Sequence, residues 1–175
     1  MTALFISRTD LVKNSLLDGN IDTDKFAQYI KIAQQIDVHN YLGTDLYNKI
    51  SEDIIAGTLA GDYLFLLNEY IQPMLIHYAM MQYLPFASYS VKNGGVYKHS
   101  AENSESVTKE EIDYLVNKER NFAEYYTKRF IDYISFHQDK FPEYNSNTNE
   151  DIQPDKNDLF NGWVLNLSLL VTLFI

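Results

Sequence analysis

Apolar residues recur every three to four positions over most of this chain, and the breaks in that period divide it into segments. Ser7 precedes a short run with Asp10 three residues later, a variant capping box, and Leu11, Val12, Leu16 and Leu17 keep helical spacing until Asp18-Gly19-Asn20. Asp22 is placed to cap a second helix in which Phe26, Ile30 and Ala33 share a face beside Tyr29, Ile32 and Ile36, predicted to run to about His39. Gly43 then breaks the chain. Thr44 is the expected cap of a third helix, marked by Leu46, Tyr47, Ile50 and Ile54 and ending near Gly57.

Gly61-Asp62 opens the most apolar stretch, YLFLLNEYIQPMLIHYAMMQYLPF. Between Ile71 and Leu84 only Gln72, Pro73, His77 and Gln82 interrupt it, so this helix is expected to be central or to lie in a subunit interface. Pro73 lacks the donor for a helical bond and should kink the helix or restart it, and Pro85 closes it. Around Asn93-Gly94-Gly95 the pattern shortens to apolar-polar alternation, which predicts a small β-hairpin excursion. Thr108-Lys109-Glu110-Glu111 is a second capping box, followed at helical spacing by Ile112, Leu115, Val116, Phe122, Ala123, Tyr126, Phe130, Tyr133 and Ile134. A helix over 109–138 would be roughly 45 Å long, well beyond the radius of gyration of about 16 Å for a compact chain of this size.

After Phe141-Pro142 the period disappears. EYNSNTNEDIQPDKNDLFNG has few apolar residues to offset the entropy of ordering, so 141–162 reads as an extended polar linker. Residues 163–175, WVLNLSLLVTLFI, then alternate at period two, with Trp163, Leu165, Leu167, Leu169 and Val171 on one wholly apolar face. This apolar C-terminal arm is too short for a spanning helix, which needs about 20 residues, so no membrane is expected. It either completes the protein's own core or adds a strand to a neighbour. The expected fold is thus mainly α: a bundle of about five helices over 1–140 with one long helix, the hairpin, the linker and the arm.

Composition narrows the chemistry. Fourteen Lys and Arg against 24 Asp and Glu give a net charge of −10, with no basic stripe to neutralise phosphates, so specific nucleic-acid binding is not expected. Cysteine is absent, which excludes thiol nucleophiles, disulfides and Cys-based zinc sites. The opening MTALFISRTD lacks a basic region followed by a sustained apolar core, so no secretory signal is expected. His39, His77, His99 and His137 show neither His-x-x-x-His nor Glu-x-x-His spacing, so no metal or other cofactor is expected. His77 reads as a satisfied core histidine and His137 as a favourable cation at a helix C-terminus. Gly57-Thr58-Leu59-Ala60-Gly61 is a turn, because no Lys follows the second glycine. The chain also holds 14 tyrosines against one tryptophan, and tyrosine suits interfaces because its ring buries area while its hydroxyl stays wet.

The polar stretch NGGVYKHSAENSESVT, 93–108, admits three readings. Lys98 and His99 with Glu102 and Glu105 could transfer protons, as in a small acidic helical enzyme. Its Ser and Asn side chains could simply satisfy a hydrated loop. The reading preferred here is a projecting loop that grips another protein through Tyr97, Lys98 and His99, and no catalytic residue is assigned. A third class, a regulatory or DNA-mimicking binder, would draw on the acidic charge.

FISRTDLVK, YLGTDLYNKI, EYIQPMLIHYAMMQYLPFASY, GVYKHSAENSE and FPEYNSN together resemble the head-tail connector proteins of tailed phages, the adaptor rings beneath the portal. The resemblance covers roughly residues 4 to 165 and rests on structural motifs. It implies a helical subunit repeated in a homo-oligomeric ring of roughly twelve copies, with closed cyclic symmetry. Such a ring joins the portal protein to the tail or a further ring, assembles in the host bacterial cytoplasm, and resides in the virion neck. It also implies a genome channel through which DNA passes without specific binding, as an acidic lumen would allow. The apolar extension NLSLLVTLFI has no counterpart in that family pattern.

Overall fold

The protein is represented by a computed structural model that describes residues 3–15, 23–87, 89–92, 95–98, 108–148 and 151–156. α1 (Arg8–Asn14) starts from the reciprocal cap expected of its sequence: Ser7 accepts from the Asp10 amide, and the Asp10 carboxylate accepts from the Ser7 amide at 3.0 Å. The Ser7 hydroxyl, which donates to the same carboxylate at 2.6 Å, and then the Ser7 amide hold the Asp10 carboxyl below its ordinary range.

α2 (Thr23–Ala33) continues through a wide π turn, Gln34–Val38, into α3 (His39–Leu42), so one rod runs from 23 to 42. It passes His39, where the sequence had placed its end. The His39 amide pairs with the Gln34 carbonyl, and the rod stops only at Gly43, whose φ is 73°. The wide turn buries Gln34, an amide amid apolar side chains. Its Oε1 accepts the Phe5 amide at 2.8 Å, and its Nε2 donates to the Ala3 carbonyl at 2.7 Å and to the Tyr47 hydroxyl at 2.9 Å. Every polar atom of that side chain is therefore used.

α4 (Thr44–Ala56) is not capped by Thr44, contrary to the sequence expectation. Gly43 occupies the cap position, and the Thr44 hydroxyl instead accepts the Ile152 amide at 3.0 Å. A left-handed Gly57 ends this helix. α5 (Gly61–Leu66) runs through a second π turn, Leu67–Ile71, into α6 (Gln72–Tyr83) and a short 3₁₀ turn, Leu84–Phe86. The π turn resolves the Pro73 problem. Proline has no N–H and its ring presses on the carbonyl four residues back, so a turn widened just ahead of it takes up the ring without ending the helix.

α6 is the centre of the molecule. Met74, Leu75, Ile76, Tyr78, Ala79 and Met80 are all buried and the other positions of the helix are half-buried. α2 packs on the flank bearing Tyr83, whose ring meets Phe26 at 4.7 Å, and α7 (Lys109–Phe136) packs on the flank bearing His77 and Tyr78. The 28 residues of α7 span about 42 Å at 1.5 Å per residue. It opens on the Thr108–Glu111 capping box and ends at His137, whose Nδ1 faces the Tyr133 carbonyl at 2.9 Å.

Between α6 and α7 two short strands, β1 (Tyr89–Lys92) and β2 (Gly95–Lys98), pair antiparallel with Ser90 opposite Tyr97. After a 3₁₀ turn at Gln138–Lys140 comes α8 (Pro142–Ser146). Here the expectation of an extended linker over 141–162 needs correction for the described part. Phe141 and Tyr144 are buried in the core, and Asn147, Thr148, Ile152 and Asp155 are bonded back onto the corner between α3 and α4. Two well-spaced aromatic anchors suffice to dock a segment that is otherwise polar. The described residues thus form a mainly α body of six helical rods, one more than the sequence period shows.

Candidate functional site

At 100° per residue, Tyr114, Phe122, Tyr125 and Phe136 fall within an arc of about 80° on α7. They lie on the side away from the buried Ala123, Thr127, Phe130 and Ile134, and are 60%, 49%, 60% and 84% exposed. Large aromatics in a row on a helix facing solvent are the feature that needs explaining. Lys118 and Arg129 sit in the same band, Lys118 with its ammonium 5.7 Å from the Tyr114 ring.

Beneath this band lies a floor of half-buried rings. The Phe122 ring is 5.2 Å from the His77 imidazole, which lies parallel to Tyr126 at 5.4 Å. The Arg129 guanidinium covers both Tyr126 and Tyr70, at 5.8 and 5.2 Å. Tyr70 stacks on Tyr133 at 4.3 Å, and Tyr133 leads through His137 to Phe136. Cation and ring contacts of this kind restrict the guanidinium to the rings beneath it.

His77 is the chemical centre of that floor. Its Nδ1 lies 2.7 Å from the Glu119 carboxylate, a buried group on α7, so the histidine on the apolar helix is a satisfied one. Beside it opens a cleft of about 210 Å³ lined by Asn14, Asn68, Gln72, Pro73, Ile76 and Tyr126 as well as His77. A lone imidazole–carboxylate pair with amides and a phenol around it can hold a polar group in a fixed orientation. Among the described residues no group of three or more His, Asp or Glu side chains is placed to hold a metal ion, and no helix is long and apolar enough to cross a membrane.

The opposite flank carries a second apolar surface that is exposed among the described residues. Along the outside of the 23–42 rod, Ile32 and Ile36 are 36% and 57% exposed. Next to them an apolar cleft of about 300 Å³ is bounded by Leu4, Ala27, Lys31 and Gln35. Asp37, at the same level, is held above the ordinary carboxylate range by burial, with the Gln82 amide opposing at 3.2 Å.

A third feature ties the end of the body to its middle. The Asn147 Oδ1 accepts the Asp45 amide at 3.0 Å, acting as a cap supplied from 102 residues away, while the Asp45 carboxylate accepts the Thr148 amide at 2.7 Å. Thr44 and Ile152 exchange backbone and hydroxyl bonds, and the Asp155 amide donates to the Asn40 carbonyl at 2.8 Å. His39, stacked on Tyr47 at 4.2 Å, sits under this strap. Burial lowers its pKa, and the negative charge of Asp151 opposes that effect.

The residues singled out from the sequence lie elsewhere. Tyr97 and Lys98 form part of β2, opposite Ser90 and Tyr89, whereas His99, Glu102 and Glu105 fall outside the described residues. So do Trp163, Leu165, Leu167, Leu169 and Val171. Sequence reasoning had counted Phe122 with the core-facing residues of the long helix and overlooked Tyr114, Tyr125 and Phe136. Their signal was available: on a helical wheel the apolar positions of 109–136 spread over about 260°, a wider arc than one core can cover.

The architecture is that of a mainly α protein built around one buried helix, with a C-terminal strap. Residues 38–153 match a family of unknown function, DUF6712, and as that span exceeds half of the chain the protein belongs to this family. The match extends from the wide turn before α3 to the strap residues that bond to Thr44. No curated protein and no solved structure matches the chain.

Proposed function

We propose that the chain is a structural subunit of a tailed-phage virion, a head-tail connector that repeats in a ring between the portal and the tail. The observation that carries this reading is the pair of apolar outer faces on different flanks of α6, aromatic on α7 and aliphatic on the 23–42 rod. A subunit with two unlike sticky faces is suited to head-to-tail association, which closes into a ring when the rotation allows. The similarity of FISRTDLVK, YLGTDLYNKI and the α6 sequence to connector proteins points the same way.

In this reading the β1–β2 pair, with Tyr97, Lys98 and His99 at its end, projects toward the portal or the tail. The apolar segment 163–175 is the arm that pairs with a neighbour, and the acidic surface lets DNA pass without holding it. The ring forms in the host cytoplasm and ends in the neck of the virion.

Negative-stain imaging of the purified protein, alone and with its portal protein, tests the proposal. Rings or ring-on-portal particles are expected. Particles that remain monomeric in both samples, by imaging and by light scattering, would refute it. Deleting 163–175 should loosen the ring and leave the helical circular dichroism of the body unchanged, whereas loss of that signal would make the segment part of the core.

A further inference from the structure

We infer that the cleft beside His77 is a binding site for a guanidinium group, an assignment that does not depend on the ring reading. Three of its lining side chains, Asn14, Gln72 and His77, each spend a donor on a protein atom that can only accept. Asn14 Nδ2 donates to the Asp10 carbonyl at 2.8 Å, Gln72 Nε2 to the Phe5 carbonyl at 2.9 Å, and His77 Nδ1 to the Glu119 carboxylate at 2.7 Å. Those partners fix which way round each amide sits and which ring nitrogen carries the proton. Asn14 Oδ1, Gln72 Oε1 and Nε2 of the neutral His77 ring are then acceptors that no bond among the described residues uses. The cleft is richer in acceptors than in donors, so its ligand has to bring donors.

Charge and shape narrow the class. No Lys, Arg, Asp or Glu lines the cleft, and the Glu119 carboxylate, with its side chain 9% exposed, stands behind His77. A carboxylate or phosphate ligand would meet acceptors backed by a negative charge. A guanidinium instead offers five N–H donors and no acceptor, and it stacks on aromatic faces. The Tyr126 ring at the cleft already carries one at 5.8 Å, that of Arg129, which lies over Tyr70 as well and does not itself line the cleft. Arg129 would repel a second cation, so the acceptors and not the net charge have to supply the affinity. The cleft holds about 210 Å³, below the roughly 300 Å³ of sites that enclose a whole small molecule, so it takes an end group and leaves the remainder of the ligand outside.

Titration of the isotope-labelled full chain with methylguanidinium at constant ionic strength tests the site, with nitrogen NMR of the His77 ring as the readout. In the neutral ring Nδ1 should carry the proton, and methylguanidinium should shift the Nε2 signal saturably. Tetramethylammonium, a cation without N–H donors, and acetate should leave it in place. Asn14→Ala, at an exposed position ending α1, should weaken binding roughly fivefold, the worth of one hydrogen bond, with the helical circular dichroism unchanged. N-acetylarginine methylamide that binds as well as methylguanidinium would assign the site to an arginine side chain of a partner protein, and one that binds less well would assign it to a free guanidino compound. A proton on Nε2 of the neutral ring, no saturable response to methylguanidinium, an equal response to tetramethylammonium, or unchanged binding in Asn14→Ala would overturn the assignment and leave the ring reading untouched.

Discussion

At Gly43 the backbone leaves α3 with φ of 73° and ψ of 162°, a conformation essentially limited to glycine, and an added Cβ would lie 2.7 Å from Cδ of Pro154. Gly57 also has positive φ, 68°, but an added Cβ there meets nothing within 4 Å. Gly57→Ala should therefore cost about 1 kcal/mol of backbone strain, and Gly43→Ala roughly 3 kcal/mol or more, because strain and clash add. Urea unfolding of the two variants checks the order, and Pro154→Ala in the Gly43→Ala background should return part of the loss. Tyr144 presents the opposite sign. Its ring is buried, its hydroxyl has no hydrogen-bond partner among the described residues, and burial pushes its pKa up to about 12. Tyr144→Phe should leave stability unchanged or raise it by up to about 1 kcal/mol, since it removes a buried polar atom with no bond to lose. A drop in the urea midpoint would show that the hydroxyl does have a partner.

The element that most separates this fold from its hydrophobic pattern is the strap, described over 141–148 and 151–156. His39 beneath it supplies a pH test. Its folded pKa lies below the ordinary 6.5, so the unfolded chain binds the extra proton first. The contribution is fully present above about pH 6.5 and is lost as pH falls through the lowered folded value. Stability measured by urea unfolding should decline between neutral pH and pH 5, and the decline should be shallower in His39→Gln. An equal slope in both proteins would assign the effect to other groups. At α7, by contrast, pattern and structure agree. The Thr108–Glu111 box was readable from four residues because capping is a local interaction, and Thr108→Ala should cost about 1 kcal/mol.

For the whole molecule, the outer face of α7 should be separable from folding. Phe122→Asp with Tyr125→Asp touches residues 49% and 60% exposed, so unfolding free energy should shift by no more than about 1 kcal/mol. Self-association seen by light scattering should disappear. Loss of both stability and association would place these rings in the core after all.

Local and periodic features were determined by the sequence alone: the capping boxes at Ser7 and Thr108, the glycine stops at Gly43 and Gly57, the scarcity of polar positions along α6, and the length of α7. Each depends on residues within a turn or two of one another, where spacing and chemistry suffice. Tertiary structure alone decided the rest. It chose between the kink and the restart open at Pro73, placing it in the first turn of α6 behind a π turn, and buried Gln34 by supplying partners from Ala3, Phe5 and Tyr47. It brought Asn147 to cap a helix 102 residues earlier. It also left one edge of the broad apolar arc of α7 exposed among the described residues. Those outcomes depend on which surfaces meet across long sequence separations, and a helix with so broad an apolar arc carries no local mark of which part the core will take.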